Sequence, residues 1–275
     1  MKQRIIVDAH AHIFPGKIAQ RASVSIGAFY DLGMETCGYP HLLKESGEKI
    51  GVRKYLVCSP ATTINQVSSI NDFIHDKCEK YPEFLGFGTL HPAMRDYERE
   101  LERMVQMGLR GVKFHPDLQE FYIDDKAMFP IYQKISETGL PVLFHTGDLR
   151  FDYSAPSRLA NVAQRFPQLT CIASHLGGYQ RWNEARQTLT GAPNVYFDTS
   201  SSLFVLTREE ALELISLYTP QKLMFGTDFP MWTHEDELQR FLSLGLPQQA
   251  EEQILHRTFE ELFGLHLEDA PQEDQ

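Results

Sequence analysis

Eight short β-rich runs, each with a polar residue at or near its end, recur along this chain about every 30 residues. They occupy 4–12, 55–60, 84–91, 109–115, 141–147, 170–176, 195–200 and 223–228, and the polar residues are His12, Ser59, His91, His115, His145, His175, Ser200 and Asp228. The intervals are 47, 32, 24, 30, 30, 25 and 28 residues, and a strand with its crossover helix takes about 30. Amphipathic stretches fill the gaps at 64–79, 96–107, 125–138, 155–166, 179–189, 207–217 and 235–242. End signals agree: Thr207 precedes Glu209 and Glu210, and Gly139-Leu140-Pro141 stops the helix before it. Eight βα units predict a (β/α)8 TIM barrel, whose active site lies at the C-terminal ends of the strands. An open doubly wound sheet is the competing arrangement, but no Gly-x-Gly-x-x-Gly follows the first strand.

A barrel of about 250 residues is one domain, so 1–267 is expected to fold as a unit with 268–275 as an acidic tail. Two helical stretches, 247–255 and 257–263, would complete the outer ring. Lys and Arg number 26 against 37 Asp and Glu, a net charge of −11. That excludes a general attraction for nucleic acid or anionic membrane. With neither a long apolar run nor a signal-like start, a cytoplasmic enzyme with a small-molecule substrate is expected, self-associating at most as a homodimer. Cys37, Cys58, Cys78 and Cys171 are far apart and are read as free thiols rather than a zinc ribbon or disulfide frame.

The chemistry concentrates at the run ends. In the first strand, period two puts Ile6, Asp8, His10 and His12 on one face and Ile5, Val7, Ala9 and Ala11 on the other. Two imidazoles on alternate residues of one strand can grip a single divalent ion. His145 is in phase with Leu143, His175 with Cys171 and Ala173, and Asp228 with Met224 and Gly226. If these ends point inward, four histidines and an aspartate converge, and burying that polarity without an ion would be costly. The long first interval leaves a surplus between Ile13 and Tyr39, read as a loop above the site that acts as a lid or packs over the rim.

These residues resemble the amidohydrolase superfamily through Asp8-x-His10-x-His12, Phe144-His145-Thr146, Ser174-His175-Leu176-Gly177-Gly178 and Gly226-Thr227-Asp228-Phe229-Pro230. With Gly111-Val112-Lys113-Phe114-His115-Pro116, they look like its aminocarboxymuconate-semialdehyde decarboxylase-like branch. The resemblance implies that His10, His12, His145 and Asp228 hold one divalent metal ion, zinc or alternatively manganese. It implies further that His175 exchanges protons and that Asp228 also orients the attacking water. In binuclear members a lysine at the place of Lys113 is carbamylated and bridges two metals; the branch resemblance favours one metal here.

Two reaction classes share this metal cage. Hydrolysis of an amide, ester or lactone carbonyl is the first expectation, with decarboxylation of an aromatic or unsaturated acid as the alternative. A decarboxylase needs a cation against its substrate's carboxylate. Arg150 is the candidate, with Arg158 and Arg181 further out, and no motif fixes any of them. Lys113, His115, His91 and Trp232 are the other candidate substrate contacts, with Tyr153 and Phe29 as further aromatic walls. A metal barrel used only for binding is a third class, disfavoured because the implied site keeps an open position.

Overall fold

The computed structural model describes residues 4–34 and 36–267; the expected acidic tail, 268–275, lies outside the described residues. The strands are β1 (Ile6–His12), β2 (Val52–Cys58), β3 (Phe84–Gly86), β4 (Gly88–Thr89), β5 (Val112–Phe114), β6 (Val142–Phe144), β7 (Cys171–Ala173), β8 (Val195–Asp198) and β9 (Leu223–Met224). Every pairing is parallel, in the orders β1-β2-β3 and β4-β5-β6-β7-β8-β9. β3 and β4 are halves of one barrel strand broken at Phe87, whose N–H goes to the Val57 carbonyl while that of Gly88 goes to Gly111. The ring closes where Ala9 N–H donates to Phe225 O (2.8 Å), Asp228 N–H to His10 O (2.8 Å) and His12 N–H to Phe229 O (2.7 Å). The expected TIM barrel is therefore present, with its polar run ends at one mouth.

The helices are α1 (Ala19–Tyr30), α2 (Pro40–Glu48), α3 (Val67–Lys80), α4 (Tyr97–Gln106), α5 (Pro116–Gln119), α6 (Phe129–Thr138), α7 (Pro156–Arg165), α8 (Trp182–Thr188), α9 (Arg208–Tyr218), α10 (His234–Ser243), α11 (Gln248–Glu252) and α12 (Thr258–Phe263). α9 begins at the expected capping box, with Thr207 Oγ1 accepting from Glu210 N–H (3.2 Å) and Glu210 returning a carboxylate to Thr207. Gly139, at φ 73°, ends α6. None of the helices among the described residues is long and apolar enough to cross a membrane. Cys37, Cys58, Cys78 and Cys171 are free.

Two layers of apolar packing position the mouth. Val7, Ala9, Leu56, Leu85, Phe87, Leu143, Ile172 and Met224 fill the barrel, closed by Phe259 and Phe263 of α12, while Ile6, Val57, Val112, Phe114, Val142, Phe144 and Ala173 face the helices. This corrects the strict alternation expected of the first strand. The β1–β2 register shifts between Asp8 and Ala11, so Val7 and Ala9 point inward, Ile6 and Asp8 outward, and the irregularity itself turns His10, and His12 after it, into the barrel. A bulge re-aims side chains in this way. On β7 the inward residue is Ile172, not Cys171 or Ala173; His175 reaches the mouth because the chain has left the strand and turned at φ 61°.

The surplus after β1 is also not a plain loop. α1 runs through it with Ala19, Ser23 and Gly27 buried at helical spacing, and α2 starts on Pro40. A Cβ at Gly27 would lie 2.6 Å from Met34 Cγ and 2.8 Å from Leu32 O, so that glycine marks close packing rather than a turn.

Behind the barrel, Glu237 of α10 is fully buried with Arg240 as its ion partner. Burial pushes its carboxyl up to about 8, against the pull of Arg240. A folded-state pKa above the unfolded one gives stability that is complete below the unfolded value, near 4.5, and is lost as pH rises through about 8. Glu237→Gln should therefore gain melting temperature relative to the parent as pH goes from 5 to 9. Thermal melts at pH 5, 7 and 9 check this; parallel curves would show that the carboxyl is not held neutral.

Candidate active site

His10, His12, Lys113, His115, His145, His175 and Asp228 line one cleft at the mouth, with Ile26, Tyr30, Pro60, Leu118, Pro230 and Met231 as its apolar and aromatic side. The sequence motifs thus meet in space. His10 Nε2 is 3.2 Å from His12 Nε2, and Asp228 Oδ1 is 3.7 Å from the first and 3.3 Å from the second. His145 Nδ1 lies 3.0 Å from His175 Nε2. The His10 and His175 rings stack, 5.4 Å between centroids, which joins the two groups.

The remaining hydrogen bonds decide which nitrogens carry protons. His10 Nδ1 is 3.0 Å from the Asp198 carboxylate, so it is the donor and Nε2 keeps a lone pair. His145 donates from Nε2 to the Gly147 carbonyl (2.8 Å), leaving Nδ1 bare. His175 donates from Nδ1 to the Ser200 carbonyl (3.1 Å), leaving Nε2 bare. Asp228 Oδ2 accepts from Ser201 Oγ (2.6 Å), so Oδ1 faces the cleft. The His145 and His175 lone pairs therefore confront each other with no proton between them.

Burial, followed by neighbouring positive groups, pulls His10, His115 and His145 below the usual imidazole range. His175 is brought down to about 4, chiefly by burial. Burial would raise Asp228, but His10, His12 and His175 hold it well below the ordinary carboxylate range. His12 departs from the other imidazoles: burial would lower it, but Cys58 and Asp228 raise it to about 9, so it pairs as a cation with Asp228 at 3.3 Å. A divalent cation between them would replace that proton, and three imidazoles with a carboxylate are a suitable donor set for one. The donor atoms of His10, His12 and Asp228 lie 3.2–3.7 Å apart, close to the roughly 3.3 Å edge of a tetrahedron of bonds near 2.0–2.1 Å. The residues fit the implied metal. Among the described residues, the groups whose ligand atoms lie within 4.8 Å of one another are His10, His12 and Cys58; His10, His175 and Asp198; and His115, Asp117 and His145, so His145 stands in a group apart from His10 and His12.

Lys113 is fully buried, with Nζ donating to His10 Nε2 at 3.1 Å, and desolvation lowers its pKa. His115 stacks on His145 (4.1 Å, 5°) and shares a hydrogen bond with Tyr30 Oη (2.8 Å). The other candidates stand outside the cleft wall. His91 turns Nδ1 to its own loop, accepting from Ala93 N–H (3.2 Å). Arg150 makes a two-pronged pair with Asp148, donates to the Phe29 carbonyl and lies 4.6 Å over the Phe29 ring, so it ties α1 to the loop after β6. Trp232 donates to Ser201 Oγ (3.0 Å), supporting Asp228 from behind. Tyr153 packs on Tyr122.

Three residues of this mouth, Tyr30, Asp117 and Asp198, escaped the sequence reading, and Ser200 entered it only as a run end without a role. Tyr30 ends α1, in a segment read as loop. Asp117 follows His115, accepts from Ser154 Oγ (2.6 Å) and is pushed up to about 7 by burial. Asp198 and Ser200 lie at the end of β8, where an acid in the apolar run Val195-Tyr196-Phe197 was a visible signal. Burial opposes ionisation of Asp198, but His10, His175 and Ser200 hold it at about 2. His175 and Asp228 both have positive φ, 61° and 59°, a strained conformation of the kind that concentrates at functional sites.

A closed parallel barrel with a buried histidine–carboxylate cluster at its C-terminal mouth is the scaffold of a metal-dependent enzyme. The chain belongs to the amidohydrolase family, whose model matches residues 7–265. A 2-amino-3-carboxymuconate-6-semialdehyde decarboxylase of Dictyostelium discoideum is 23% identical over 208 residues, 62% of this chain. The match spans 58% of that relative's own length. An uncharacterised TIM-barrel protein from Bordetella bronchiseptica superposes with a TM-score of 0.80 at 22% identity, covering 94% of this chain and 98% of the other. The 5-carboxyvanillate decarboxylase of Sphingomonas paucimobilis gives 0.73 at 15% identity, covering 96% and 100%. A putative 2-pyrone-4,6-dicarboxylic acid hydrolase from Pseudomonas putida gives 0.68 at 18%, covering 96% and 99%.

Proposed function

We propose that this enzyme is a metal-dependent carboxy-lyase that releases carbon dioxide from a small aromatic or conjugated acid. The observation that carries this reading is the placement of Lys113. Hydrolysis is the first expectation from the sequence because no arginine is fixed by motif at the substrate end, and Arg150 is engaged by Asp148 and Phe29. Lys113 supplies the missing cation inside the cleft, 3.1 Å from His10 Nε2. When that nitrogen is committed to an ion, the lysine donors become free for a substrate carboxylate, which would favour the ammonium form that burial disfavours. The apolar and aromatic lining of Ile26, Tyr30, Pro60, Leu118 and Met231 suits an apolar substrate body.

His10, His12, His145 and Asp228 would hold one divalent ion, zinc or manganese. Bound there, the ion supplies positive charge to substrate oxygens. Lys113 would bind the departing carboxylate, and the apolar lining would hold the acid's body and exclude water. His175, with Nδ1–H fixed on Ser200, would take a proton onto its bare Nε2 from water or a substrate hydroxyl and pass it to the substrate carbon. The carbon–carboxylate bond then breaks, its electron pair returning to the conjugated system as carbon dioxide leaves. Lactone hydrolysis is the second reading, favoured by a neutral His175 whose free Nε2 can accept a proton from water.

The test is a paired screen of hydroxybenzoate-like and muconate-like acids against lactones, esters and amides, with chelated enzyme as control. Metal-dependent carbon dioxide release is expected. Hydrolytic turnover alone would replace the lyase with the hydrolase.

A further inference from the structure

Asp198 is a fully buried carboxylate at the end of β8 that faces the back of the site rather than the cleft. Its Oδ1 accepts from the backbone N–H groups of His175 and Ser200, both at 3.1 Å, and from Ser200 Oγ. Its Oδ2 faces His10 Nδ1 at 3.0 Å. An ionised carboxylate only accepts, so His10 must donate from Nδ1. Ser200 has one hydroxyl proton, and the short contact to Asp198 commits it. Its oxygen therefore presents lone pairs to His175 Nδ1, at 3.0 Å, and to His10 Nδ1, at 3.1 Å. The Ser200 carbonyl also accepts from His175 Nδ1.

We propose that Asp198 is the positioning residue that sets the Nδ1–H tautomer of His10 and, through Ser200, reinforces that of His175, so that both rings present bare Nε2 atoms at the mouth. The same carboxylate holds the left-handed turn at His175 through its N–H bond. Asparagine would invert this arrangement. Its carbonyl oxygen is held where the His175 and Ser200 N–H groups converge, which turns the NH2 toward His10 Nδ1. That nitrogen must then accept, its proton moves to Nε2, and the metal-facing lone pair is lost. The inference rests on the reading of His10 as a metal ligand but not on the reaction class.

The experiment uses metal-free, 15N-labelled full-length protein. Long-range 1H–15N correlation spectra, assigned with His10→Gln and His175→Asn difference spectra, should show Nδ1–H tautomers for both residues. Asp198→Asn should convert His10 to Nε2–H and weaken zinc binding, measured by chelator competition, by the 10–100-fold typical of lost carboxylate support to a metal-bound histidine. Ser200→Ala should leave His10 in the Nδ1–H tautomer, because the Asp198–His10 bond survives, and a change of that tautomer would overturn the assignment of its control to Asp198. An Nε2–H tautomer of His10 in the parent protein would overturn the proposal, and that result needs no folded variant. A folded Asp198→Asn protein that binds zinc like its parent would overturn it too. Failure of the parent to bind zinc would sink the His10 ligand reading, while release of no carbon dioxide from any acid would sink only the lyase.

Discussion

His10→Ala, His12→Ala and Asp228→Ala should each lose metal and turnover together. The parent is expected to purify with about one divalent ion per chain, and each variant with roughly a tenth of that, since three remaining donors hold an ion poorly. His10 Nε2, His12 Nε2 and Asp228 Oδ1 lie 3.2–3.7 Å from one another, so removing any one opens the same corner. Elemental analysis beside activity is the measurement. A parent with no ion after growth in added zinc and manganese would end the metal reading. Two ions per chain, with the mass of a carbamate on Lys113, would replace one metal by two; the lowered pKa of Lys113 would favour the amine that such a modification requires.

The barrel was legible because its signal is repeated. A run such as 109–115 is ambiguous alone, but eight runs near 30-residue spacing leave few alternatives. Local irregularities were less legible. Alternation on β1 predicted His10 and His12 on one face correctly, yet put Ile6 and Asp8 with them, because periodicity carries no mark of the register shift between Asp8 and Ala11. α1 was concealed by glycines and aromatics that suggest a loop, whereas Gly27 is required by the approach of Leu32 and Met34.

The site divides along the same line. Residues at or just beyond strand ends were found because strand ends converge in a barrel, and this holds for His12, His115, His145 and Asp228 alike; Lys113, in the middle of β5, came through the family resemblance. Residues whose role depends on a neighbour were not. Arg150 was a substrate candidate weighed against an ordinary ion pair, and Asp148, two positions before it, captures the guanidinium. His91 ends the third run and still faces its own loop. Tyr30 reaches His115 from an inserted helix, a contact across 85 positions that no pattern in the chain announces.

His175→Asn should separate proton transfer from metal holding. Asparagine is short and polar, can retain a donor toward the Ser200 carbonyl, and has no titrating nitrogen in place of Nε2. If His175 serves as proton carrier, the variant keeps about one ion per chain while turnover falls by roughly 10²–10⁴-fold, the usual value of a positioned acid–base group. The 3.0 Å approach of His175 Nε2 to His145 Nδ1 makes the opposite outcome physically meaningful, because two facing lone pairs also suit a shared ion. Loss of metal from His175→Asn would therefore place His175 among the ligands and shift the proton-carrying role elsewhere in the cleft. Asp117, pushed up to about 7 by burial and 3.4 Å from His145 Nε2, would be the next group to replace.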